Sequence, residues 1–163
     1  MTVFRWLDAN LERLLIGTLL AGIVLLISAN VFMRYILNAS LSWGEELTLW
    51  IFVWFVWLSV SYAFQKEAHV KITIIRNLLS DRGAKVMNIV VDLMVLGFLF
   101  ILIRECLDLM SKPFVLSQKS VVLGLPIPIL YASAPVGAAL SAFRILQHLI
   151  KTLRDTPTHQ PEG

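Results

Sequence analysis

Apolar residues along this chain gather into four long runs, at residues 14–33, 47–64, 86–103 and 120–143. Neither a period of two nor a single apolar stripe at 3.6 describes them, so these are not half-buried strands or surface helices. A helix rises about 1.5 Å per residue and the hydrocarbon core of a bilayer is about 30 Å thick, so about 20 apolar residues, in a range of roughly 17–25, cross it. Backbone groups in lipid must satisfy one another, which favours helices; a small barrel would need short alternating segments that the chain lacks. The expected fold is an all-α integral membrane protein with four transmembrane helices in a single membrane domain over residues 1–163. A soluble bundle is a poor alternative, because a chain of 163 residues has too little interior to hide four such helices from water.

The connections carry local signals. Ser42-Trp43-Gly44-Glu45 fits a capping box, with Ser42 accepting from the Glu45 amide and the Glu45 carboxylate returning to the Ser42 amide. Between His69 and Leu79, Val70, Ile74 and Leu78 recur every four residues, which suits either a short interfacial helix or an ordinary connecting turn. Ser80-Asp81-Arg82-Gly83 reads as its exit. In the fourth run Pro126 and Pro128 suit a first turn, so the regular helix is expected to begin there. Pro135 lies deeper, frees a carbonyl near Tyr131 and predicts a bend, read as packing in preference to an ion site.

Charge then sets orientation. The two tails and the second connection hold ten of the fourteen Lys and Arg residues, and the first and third connections hold four; both termini are therefore expected in the cytoplasm. The net charge of +3 does not point to nucleic acid, since the basic residues sit mostly between spans and not along one soluble face. A cleaved signal peptide fits the first run badly: it is longer than an ordinary h-region, follows acidic Asp8 and Glu12, and lacks a small-x-small cleavage site. The lone Cys106 excludes an internal disulfide, offers no metal spacing and is read as packing.

Trp43, Trp50, Trp54 and Trp57 are spaced by seven, four and three residues, which places them along one helical face. Trp54 and Trp57 sit too near mid-span for a headgroup belt. They cover another subunit, pack internally or face lipid, and the pattern alone does not choose. Glu45 and Glu46 suit a helix N-terminus, and Arg34 on the same side can pair with either, or a partner can compete for one carboxylate. Asp92 lies inside the third run with Asn88 one turn earlier; pairing across the helices is preferred to a proton-coupling role. Asn30 is a candidate for interhelical hydrogen bonding. His69, His148 and His159 fall outside the apolar runs, so haem ligands are not expected; zinc motifs, phosphate loops and nucleophile elbows are missing too. The chain does not read as an enzyme, and no cofactor is expected.

The segment Arg34, Asn38, Ser40-Leu41-Ser42-Trp43-Gly44-Glu45-Glu46-Leu47, then Phe52-Val53-Trp54, resembles the small membrane subunit of tripartite ATP-independent periplasmic (TRAP) transporters, the DctQ-like family. Ala68-His69-Val70 and Leu125-Pro126-Ile127-Pro128 with Tyr131 and Pro135 are similar to two further family signatures. Leu49 stands where the family commonly has Arg, and Ser59-Val60 where a Gly-Ala pair is common.

The resemblance implies a noncatalytic scaffold in a bacterial or archaeal cell membrane, most naturally the bacterial inner membrane. It would hold a large permease subunit, with a periplasmic binding protein delivering an organic anion for uptake driven by a cation gradient, generally sodium. The partners implied are that permease, the binding protein and membrane lipids. Arg34, Trp43, Glu45, Glu46, Trp50, Trp54, Trp57, His69, Asp92, Pro126, Pro128 and Pro135 are its candidate interface or structural residues. Two rivals are a self-contained proton-coupled exporter using Asp92 and a membrane assembly factor.

Overall fold

The computed structural model of the chain describes residues 2–76 and 81–154, with side-chain detail mainly over 12–65 and 86–150. The described elements are α1 (Thr2–Ile36), α2 (Ser42–Arg76), α3 (Asp81–Ser111), α4 (Pro113–Ser117), α5 (Ile127–Tyr131) and α6 (Ser133–Arg154). Among the described residues four stretches are long and apolar enough to cross a membrane: Glu12–Ile36, Ser42–Gln65, Val86–Ser111 and Ile127–Ile150. Among the described residues the only β contact is an isolated bridge between Lys119 and Pro126. The all-α, four-span reading therefore stands.

Several boundaries differ from the hydropathy pattern. The fourth span starts at Ile127, because residues 118–126 form a folded turn and Pro126 and Pro128 occupy the N-cap and first turn of α5. The helix is interrupted at Ala132, between α5 and α6. Pro135 has no amide with which to reach the Tyr131 carbonyl, while Ala132 and Val136 keep their own bonds to Pro128 and Ala132, at 2.9 and 3.1 Å. Among the described residues no separate interfacial helix follows the second span: α2 runs without a break to Arg76. Asn77, Leu78, Leu79 and Ser80 lie outside the described residues, and Asp81, Arg82 and Gly83 open α3 instead of closing an earlier element. The short α4, opened by Pro113, has no counterpart in the apolar pattern.

Packing follows a row. α1 lies along α2, α2 along α6, and α6 along α3, while α2 and α3 touch more lightly. α6 is thus central, and a third of its span is buried against 6% of the α3 span, although its mean hydropathy is 1.5 against 2.6. That inversion is physical: in lipid the outward face is the apolar one, and small or weakly polar residues let helices approach closely. The core between α3 and α6 is Leu99, Ala138 and Ile145, with Phe64, Val95 and Leu102 among the residues packed on it. Ser141 returns its hydroxyl to the Gly137 carbonyl at 2.8 Å and Ser133 to Leu130 at 2.6 Å, so these buried serines carry no unmet donor into the interior.

Candidate functional site

The first polar cluster sits at the end of the row opposite the chain termini, called the far end below. α1 stops through Asn38, whose φ of 50° is left-handed and is tolerated by Asn better than by most residues. The amides of Leu37 and Ala39 both turn back to the Met33 carbonyl, at 3.2 and 3.0 Å. This turn brings the last residues of α1 against the first of α2. Arg34 forms an ion pair with Glu45 through Nη2, which also donates to Ser40 Oγ at 3.3 Å. Asn30 is engaged at both ends: its Nδ2 donates to Glu45 Oε1 at 3.0 Å, and its Oδ1 accepts the Leu41 amide at 3.1 Å.

The capping box expected at Ser42 is not formed. The Leu41 carbonyl accepts from Gly44 and Glu45 at 2.9 and 3.2 Å, so Leu41 is the N-cap and Ser42 the first helical residue. The Glu45 carboxylate is drawn instead to the guanidinium, a stronger partner than a neutral amide, and Asn30 takes over the amide that precedes the helix.

Glu46 points elsewhere. Successive helical side chains are rotated by about 100°, so the two neighbouring carboxylates leave α2 in different directions. Glu46 Oε2 accepts the amides of Val122 and Leu123, both at 2.9 Å. The turn that presents them is closed by Ser120 N–H to the Leu125 carbonyl at 2.8 Å, Leu125 N–H to Ser120 Oγ at 3.1 Å and Ile127 N–H to the Gln118 carbonyl at 3.1 Å. Gly124, at φ 67°, supplies the left-handed residue that the turn requires. Thus Glu45 ties α2 to α1, and Glu46 ties α2 to the connection before α5.

The tryptophans do not share one environment. Trp50 is buried, Trp54 and Trp57 are half-buried, and Trp43 is exposed. Trp57 meets α6 where that helix has no side chain: a Cβ on Gly137 would lie 2.7 Å from Trp57 Cβ and 2.8 Å from its carbonyl oxygen. Trp57 also lines a cavity of about 200 Å³ with Cys106, Tyr131 and Ser133. Part of the stripe therefore packs inside this chain. The outward face of α2 is Leu49, Phe52, Val56 and Val60.

Toward the termini, two further pairs cross from α6. His148 Nδ1 lies 2.8 Å from Asp92 Oδ2, joining α6 to α3; Asn88 is not the partner. His148 lies within the fourth span, Ile127–Ile150, and not outside the apolar segments as expected, because that span is displaced toward the C-terminus. Arg144 donates through Nε and Nη2 to Glu12 Oε1, at 3.0 and 2.9 Å, with side chains only 8% and 5% exposed. In the linear chain Arg144 enters only the charge balance and Glu12 only the flank of the first run. The available signal was the spacing of Arg144 and His148, which stand four apart and share a helical face. Pro135 is buried against the same helix row. His69 lies on α2 beyond its span, without side-chain detail, and His159 lies outside the described residues.

Among the described residues no three His, Cys, Asp or Glu side chains converge as metal ligands. Among the described residues the polar pairs named above tie helices together. The profile of the DctQ component of tripartite ATP-independent periplasmic transporters matches residues 23–155. The chain belongs to that family.

Relatives of this DctQ-family chain agree. It is 26% identical to a putative TRAP transporter small permease protein of Haemophilus influenzae, over 91% of each chain. It is 26% identical to the C4-dicarboxylate TRAP transporter small permease protein DctQ of Vibrio cholerae, over 85% of this chain and 69% of that one. With the isethionate TRAP transporter permease protein DctMQ of Oleidesulfovibrio alaskensis it shares 31% identity over 93% of its own length. The DctQ-family chain spans only 25% of that longer relative. Family and spans together make it a multi-pass inner membrane protein of a transporter, not an enzyme.

Proposed function

We propose that this chain is the stationary small subunit of a TRAP transporter, holding a large permease subunit that carries the transport path. The observation that carries this reading is the open row of helices. Among the described residues α1 packs along α2 and is tied to α6 through the Glu12–Arg144 pair, and the outward faces of α1, α2 and α3 are broad and apolar. Such a layer suits lateral contact with a larger membrane protein. The DctMQ relative supports the same partner: this chain matches a quarter of it, and the remainder has room for a permease. Uptake of an organic anion, delivered by a periplasmic binding protein and driven by a cation gradient, sodium in the family pattern, completes the proposal.

Four crossings place both termini on one side, and the excess of Lys and Arg there argues for the cytoplasm. The far end with Arg34, Glu45 and Glu46 would then face the periplasm. The exporter alternative has less support, because Asp92 is engaged by His148. Affinity purification of the tagged chain from its own membrane, with mass spectrometry and uptake assays on the reconstituted components, tests the proposal. A large multispan partner should copurify and transport should require it. Proton-coupled transport by the chain alone, lost in Asp92→Asn, would replace the scaffold with the exporter.

A further inference from the structure

We infer that the groove between α1 and α2 at the far end binds one membrane phospholipid with a zwitterionic amine headgroup, its phosphate on Arg34 and its ammonium on Glu45. The groove has a volume of about 410 Å³; Ile27, Val31 and Leu49 form its apolar wall, and Asn30, Arg34 and Glu45 its polar end. Ile27 and Arg34 are two helical turns apart, so the wall runs for about 10 Å, enough to pass from headgroup depth into hydrocarbon. The groove is amphipathic in the same direction as a lipid.

The charges select the headgroup. Arg34 uses Nη2 for Glu45 and Ser40, and Glu45 uses Oε1 for Arg34 and Asn30. Arg34 Nε and Nη1 and Glu45 Oε2 remain without a partner among the described residues, on side chains 50% and 51% exposed. A phosphate meets the guanidinium donors and a neighbouring ammonium meets the carboxylate oxygen. An anionic headgroup would satisfy Arg34 and be repelled by Glu45. An apolar protein face would remove water from the unused guanidinium donors and the unused carboxylate oxygen and return no hydrogen bond to them. The inference does not depend on the scaffold role.

The test is native mass spectrometry of the delipidated full-length chain in detergent, titrated with phosphatidylethanolamine or phosphatidylglycerol of matched acyl chains. Phosphatidylethanolamine should be retained about tenfold better, and Arg34→Gln or Glu45→Gln should each lower its retention about tenfold, the scale of one charge-assisted hydrogen bond. Leu49→Trp fills the apolar wall and spares both charges; it should weaken retention with an unchanged helical circular-dichroism spectrum, since Leu49 is exposed. Free phosphoethanolamine, lacking acyl chains, should not bind. Equal retention of the two lipids, or retention unaffected by Leu49→Trp, would overturn the inference. So would photocrosslinks from position 49 of the intact complex that reach only protein.

Discussion

Replacing Gly137 with Ala should destabilise the protein although it improves helix propensity. A Cβ at 137 would lie 2.7 Å from Trp57 Cβ, 2.8 Å from the Trp57 carbonyl oxygen and 3.0 Å from its carbonyl carbon. Unstrained carbon contacts lie near 3.5–4.0 Å, so α2 and α6 must separate locally by about 1 Å. Two of the three obstructing atoms are backbone, which no rotamer change can move. Overpacking of this kind costs roughly 1–3 kcal/mol, offset by about 0.5–1 kcal/mol gained when Gly becomes Ala within a helix. The expected net loss centres on ~1 kcal/mol, or a fall of about 2–4 °C in the unfolding midpoint by the soluble-protein scale.

Thermal unfolding of the purified chain in one detergent measures it. Gly97→Ala is the internal control, because a Cβ there meets nothing within 4 Å; it should be neutral or stabilising. Trp57→Ala should not rescue Gly137→Ala, since the clash is with Cβ and backbone and not with the ring. A midpoint for Gly137→Ala equal to or above that of Gly97→Ala would refute the close approach of α2 and α6.

Glu46→Gln removes the charge that holds the amides of Val122 and Leu123; hydrogen exchange at those two amides should accelerate while exchange within α2 stays unchanged. Arg144→Met leaves Glu12 buried without its partner and should cost about 3–5 kcal/mol, whereas the double change Glu12→Leu with Arg144→Met should recover most of it, as chemical unfolding in detergent would reveal. Recovery no better than additive would argue against the pair. Asp92→Asn should lower stability and leave transport by the assembled system intact, and combining it with His148→Gln should cost less than the two separate losses together; an abolished transport rate with normal assembly would move Asp92 into the transport path.

The number and helical kind of the membrane-crossing segments were legible in the linear chain, because crossing a bilayer imposes a length and an apolar composition that any single segment reveals. Arg34 and Glu45 were legible as one junction too, since residues flanking a short turn are neighbours whatever the rest of the chain does. Packing between distant segments decided what remained. Glu46 meets amides 76 and 77 residues away, Glu12 meets Arg144 132 residues away, and Trp57 fits α6 because Gly137 has no side chain there. Hydropathy is blind to these contacts: it measures what a residue's surroundings must be, not which helix supplies them. The same blindness displaced the fourth span, where apolar residues 120–125 belong to a hydrogen-bonded turn that holds Glu46 and the helix itself waits for Ile127.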